Sequence, residues 1–126
     1  MSDGDPAQDT GKADPRLTAA LASGDLVAIR EALLIARVLV PVVALGDQSD
    51  AVEMAVPRLV GADRRHALPV FTSYDALRAW RPDARPVPMP GEQAIAGAVA
   101  EGYAAVVIDV AGPVTHTVEI EIQPSP

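Results

Sequence analysis

The sequence has no cysteine and a single lysine, Lys12. Without cysteine there is no disulfide, thiolate nucleophile, iron–sulfur cluster or cysteine-held zinc. A phosphate-binding loop needs lysine followed by Ser or Thr, and Ala13 follows Lys12. The glycine-rich dinucleotide fingerprint and the Gly-x-Ser-x-Gly nucleophile elbow are also missing. His66 and His116 are isolated, with no metal-ligand spacing around either. No catalytic residue, metal site or cofactor is therefore expected. The longest apolar run, Val38 to Leu45, falls well short of the roughly 20 residues that cross a bilayer. The acidic start, Met1 to Asp5, lacks the cationic and apolar regions of a secretory signal. The expectation is a cytoplasmic protein that neither spans nor binds a membrane.

Aromatic residues make up 3% of the chain against 49% hydrophobic residues overall. The core must then be aliphatic, and 126 residues are enough to bury one without a metal or disulfide staple. Net charge is −7, which argues against nucleic acid, whose binding requires neutralised phosphates. All six bases of residues 54–86 are arginines (Arg58, Arg64, Arg65, Arg78, Arg81, Arg85), and residues 87–126 hold no base at all. That arginine block is the one local candidate for an acidic partner; solvated arginines offsetting acidic neighbours are the plainer alternative.

Residues 1–13 read as a disordered acidic tail and residues 14–122 as one domain. Asp14-Pro15 starts a helix that Gly24 stops; Asp25 caps a second, with Leu26, Ile29, Leu33 and Ala36 at helical spacing. Residues 38–45, 53–60 and 66–71 read as three strands joined by turns, an antiparallel meander. Each carries a proline (Pro41, Pro57, Pro69), and three successive strands cannot all be edges. Thr72-Ser73 caps a third helix with a Tyr74, Leu77, Trp80 stripe. Residues 85–90 are extended, as an edge strand or a polyproline-like segment. Residues 92–101 form a fourth helix in which Gly97 suggests close packing on the sheet. Residues 104–110 are apolar on both faces, as in a central strand covered from both sides. Residues 114–122 alternate, with Val114, His116, Val118, Ile120 and Ile122 on one face. The alternation of strands and helices after residue 66 implies crossovers, so the fold class is α/β (α+β): a mixed sheet with helices packed on it.

Asp109 is the one acid inside the central strand; it caps a turn, pairs with a buried group, or serves a site at the strand's carboxyl end. Glu119 and Glu121 on an exposed strand face read as charges that discourage edge-to-edge aggregation.

The run Leu68-Pro69-Val70-Phe71-Thr72-Ser73-Tyr74-Asp75-Ala76-Leu77 resembles a strand ending in Phe-Thr-Ser and its following helix in the N-terminal domain of the SseB family, the enhanced serine sensitivity proteins. The junction around Ala32-Leu33 and Val40-Pro41-Val42, and the strand Val106 to Asp109, are similar too. The resemblance spans roughly residues 17 to 115. It implies an α/β domain of a bacterial, cytoplasmic protein and no enzyme activity. Only Phe71, Thr72 and Ser73 carry over as positions. Asp109 is followed by Val110 where the family's pattern has Asn-Pro, and the second domain of longer members is not in this sequence.

Two functional readings follow. The first is a non-enzymatic interaction or regulatory module that binds a protein partner or itself through an edge strand at Val114, His116, Val118 and Ile120, with Val118→Asp expected to break association without unfolding the monomer. The second is a sensor of an amino acid or anionic metabolite, or a weak enzyme, using Ser73, Arg78 and Asp109.

Overall fold

The computed structural model describes residues 11–45, 53–61, 64–111 and 115–120. Asp14 caps α1 (Pro15–Ser23) by accepting the Arg16 N–H at 2.9 Å. The Arg16 guanidinium, 3.1 Å from the same carboxylate, holds the Asp14 carboxyl below its usual range. Gly24 ends the helix in the left-handed conformation, with φ 71°. Asp25 then caps α2 (Leu26–Ile35).

Seven strands follow: β1 (Arg37–Leu45), β2 (Glu53–Ala55), β3 (Leu59–Val60), β4 (His66–Val70), β5 (Arg85–Pro90), β6 (Ala105–Ile108) and β7 (His116–Glu119). Two further helices, α3 (Tyr74–Trp80) and α4 (Gly91–Ala100), flank β5 in the chain. The strands make a sheet of order β2-β1-β5 and one of order β3-β4-β6-β7, with β4 and β6 parallel and every other pair antiparallel.

The prolines explain why there are two sheets. Leu39 and Phe71 exchange both backbone hydrogen bonds, each 2.9 Å, in an isolated antiparallel bridge between β1 and the end of β4. The next hydrogen-bonded pair in that register would set Pro41 against Pro69. Neither has an N–H, so the ladder stops and the strands part. The expected second strand lies in the opening, broken at Val56-Pro57-Arg58. Its first piece pairs with β1 and its second with β4. The meander is present with its middle strand in two pieces.

One sheet face presents Val38, Val40, Leu68, Val70, Val106, Ile108 and Val118 to α1, α2 and α4, whose Leu17, Ile29, Leu33, Ala94 and Ala98 complete the main core. The other face packs Leu39, Val43 and Phe71 against Leu77 of α3, with the Trp80 ring 5.4 Å from Phe71. Helix α3 has only seven residues and covers only that end. Strand β6 is therefore roofed by helices on one face alone, and Val107 on the other is half-buried. The close-packed glycine is Gly91, not Gly97. A Cβ on Gly91 would overlap the Leu33 carbonyl oxygen, whereas one on Gly97 would meet open space. Tyr74 also departs from the expected inward stripe: it is 40% exposed, with the Arg78 guanidinium 5.3 Å from its ring centre.

Among the described residues no helix is long and apolar enough to cross a membrane, and no three His, Asp or Glu side chains gather as metal ligands do.

Candidate functional site: two sheet edges and the parallel strand ends

The backbone direction at β7 follows from its neighbours. The Asp109 N–H bonds to the Val70 carbonyl of β4. By alternation the polar groups of Val106 and Ile108 face β7, where their partners are Val118 and His116. Thr117 and Glu119 must then turn their N–H and C=O groups out of the sheet. Only the Glu119 carbonyl has a partner among the described residues, the Arg30 guanidinium of α2 at 2.6 Å. The side chains of Thr117 and Glu119 are exposed, Val118 is buried at 7%, and His116 and Ile120 are half-buried. Val114 and Ile122 lie outside the described residues. Val118 thus belongs to the core, and Val118→Asp would strike the fold rather than the edge.

The opposite edge, β5, is built the other way. Leu39 directs its backbone to Phe71, so Val38, Val40 and Val42 bond to Met89, Val87 and Arg85. Pro86, Pro88 and Pro90 stand opposite Pro41, Leu39 and Arg37, with their ring nitrogens turned outward. Every outward position of β5 therefore lacks a donor.

Two hollows flank β7. On the face without helices, a groove of about 450 Å³ is lined by Leu59, Ala67, Ala105, Val107, Thr117 and Glu119. On the helical face, a hollow of about 220 Å³ lies among Leu26, Arg30, Thr117, Val118 and Glu119.

The carboxyl ends of the parallel strands bring Ser73 and Asp109 near each other through Thr72. The Asp109 carboxylate accepts the Thr72 N–H at 2.8 Å and the Thr72 hydroxyl at 2.7 Å. Asp109 has φ 55°, a left-handed conformation that Asp tolerates better than most residues. Of the three roles open to it in the sequence, the structure shows a polar pair: it ties the end of β6 to the β4–α3 junction. Ser73 caps α3 by accepting the Ala76 N–H at 3.1 Å. Thr72, aligned in the sequence for a capping box with Asp75, gives its hydroxyl to Asp109 instead. Arg37 closes this end from the other side, bonding the Thr72 carbonyl at 3.0 Å and the Lys12 carbonyl. Gly11, on the tail side of the expected boundary, accepts the Tyr74 N–H at 2.8 Å. Sequence reading passed over Thr72, Arg37 and Arg30 as tertiary hydrogen-bonding partners. All three act across more than thirty residues of chain, and no local spacing marks such a contact.

The arginine block does not gather at one point. Arg64 and Arg65 lie before β4, bordering a hollow of about 390 Å³ with His66 and Ile120. Arg78 and Arg81 lie beyond its far end, and Arg81 pairs with Asp83 at 3.0 Å. The five residues of β4 between them span about 16 Å.

Comparison with curated proteins and with solved structures yields no match. The sequence model of the SseB protein N-terminal domain matches residues 15–121. That span holds every helix and strand described above, including the Phe71-Thr72-Ser73 junction and its tie to Asp109, and the chain therefore belongs to the SseB N-terminal domain family.

Proposed function

We propose that this domain is a non-enzymatic, cytoplasmic interaction module that takes an extended segment of a partner protein as an added strand on β7. The carrying observation is the pair of outward-facing backbone positions, Thr117 and Glu119, on a strand edge that no described strand covers. A strand laid there gains main-chain hydrogen bonds. Its alternate side chains fall toward the hollows on the two faces, which is how strand addition combines affinity with selectivity. The contact residues are then Thr117 and Glu119, with His116 and Ile120 at the ends. Arg30, on the Glu119 carbonyl, holds part of the edge until a partner displaces it.

Thr117→Pro tests this directly. The N–H it removes points away from β6, so the native ladder is kept, at a cost of about 1 kcal/mol in backbone strain. Wild type and variant are purified from the host and compared by native mass spectrometry. A partner held by wild type and lost by the folded variant supports strand addition. Equal retention by both sinks it.

A second reading, a small-ligand sensor, is favoured by a hollow of about 750 Å³ where the sheet divides beneath α4, lined by Val40, Leu68, Met89, Ala94, Ala98 and Tyr103. Its size is that of a ligand pocket. The cluster at Ser73, Arg78 and Asp109 offers less, because each of these side chains already has a partner within the chain. A thermal-shift screen with amino acids, serine included, and phosphorylated metabolites separates the readings: a stabilising hit favours the sensor, and none disfavours it.

A further inference from the structure

Helix α2 is apolar on both sides. Ile29 and Leu33 are each 1% exposed and Ala36 is fully buried. Yet Leu26, Val27, Leu34 and Ile35 are 66%, 64%, 42% and 63% exposed, four of the nine large apolar side chains that stand in solvent among the described residues. At about 100° per residue, these four share one half of the helix surface with Arg30 and Glu31. An ordinary surface helix is polar there, and one apolar all round is normally covered. The helix starts beside β7, where Arg30 meets Glu119, and ends beside β5, where the Gly91 N–H bonds to the Ala36 carbonyl at 2.8 Å. It crosses the sheet in contact with both α1 and α4, and its outer half faces away from the main core.

We infer that this outer face of α2 is covered by a second copy of the chain, the two helices packing antiparallel about a two-fold axis. The sequence of the face is complementary to itself. With the axis between residues 30 and 31, Leu26 faces Ile35 of the other copy, Val27 faces Leu34, and Arg30 faces Glu31. Apolar side chains meet at both ends and opposite charges meet twice at the centre, as a self-matching two-fold interface requires. Arg30 uses one guanidinium nitrogen on Glu119 and has donors left for the facing Glu31. A helix of ten residues is about 15 Å long, too short alone for even the roughly 1,200 Å² at the lower end of specific interfaces. Exposed Ala19 and Ala22 of α1 and Val99 of α4 extend the contact, and the dimer is of modest affinity. This surface lies on the helical layer and meets the β7 edge only at Leu26 and Arg30, which also line the hollow beside that strand.

Sedimentation velocity of the full chain over a range of concentrations tests the inference. Wild type should pass from monomer to dimer. Val27→Glu and Ile35→Lys should each weaken the dimer at least about tenfold while the circular dichroism melt stays near wild type. Val27 lies in the first turn of α2, where an acid suits the helix, so its failure to dimerise would not reflect a damaged helix. Arg30→Glu and Glu31→Arg should each be monomeric alone, and an equal mixture should dimerise again, because only the mixture restores both opposite-charge pairs. A wild type that stays monomeric at hundreds of micromolar overturns the inference, as does a mixture that fails to associate. A dimer that survives Val27→Glu and Ile35→Lys but is lost in Thr117→Pro overturns it too, and assigns self-association to the strand edge instead.

Discussion

The two edges of the strand array face one problem with opposite solutions. A strand edge carries unpaired polar groups that invite another chain. On β5, prolines recur every second residue, in phase with the positions whose backbone points outward, so the edge keeps its carbonyls and has no donors. On β7 the outward positions are Thr117 and Glu119, both able to donate, and one guanidinium from α2 engages one carbonyl. Proline on the outward phase costs a strand nothing in its native ladder, while on the inward phase it breaks the ladder. Pro41 and Pro69 show the second case, opposing each other where β1 and β4 would otherwise zip together. The same residue type seals one edge and divides the sheet, and phase alone decides which.

That contrast can be broken at β7, at the strand ends and at β5. The largest effect is expected from Val118→Asp. It sets a carboxylate among the buried Val106 and the helices, at a cost of about 3–5 kcal/mol. Chemical denaturation should show a monomer that is largely unfolded or close to it; a stable, folded Val118→Asp would mean β7 is not anchored through this residue. Next comes Asp109→Ala, which leaves the Thr72 N–H and hydroxyl without their acceptor and puts alanine at φ 55°. A loss of about 2–3 kcal/mol is expected in urea titration. Asp109→Asn should recover part of that loss, since asparagine accepts a hydrogen bond and tolerates the conformation. Recovery as poor as in alanine would argue that the charge itself carries the interaction. The smallest effect on stability belongs to Pro88→Thr, within about 1 kcal/mol, because the new N–H points away from β1. Its consequence should appear in light scattering, as association that wild type lacks at that edge. An unchanged scattering profile would show that the prolines of β5 are not what keeps it single.

Much of the local structure was legible in the chain. Asp14-Pro15, Asp25 and Ser73 cap helices as their chemistry requires, and Gly24 ends one. The alternation around residues 116–120 does separate buried Val118 from exposed Thr117 and Glu119. What failed did so for tertiary reasons. Leu26 completes a helical repeat with Ile29 and Leu33 yet stands 66% exposed, because α2 begins at the margin of the sheet. Residues 104–110 are apolar on both faces, but a helix of one face only reaches them. Gly97 and Gly91 are indistinguishable by type, and only the approach of Leu33 makes Gly91 the necessary one.

The sequence by itself determined the secondary structure's punctuation, the aliphatic core, the absence of cysteine chemistry and the family, since all of these rest on residue identity and near-neighbour spacing. Only the tertiary structure decided which proline opposes which and that Asp109 serves Thr72. Each of these depends on pairing register between segments far apart in the chain, and register is set by how the whole core packs.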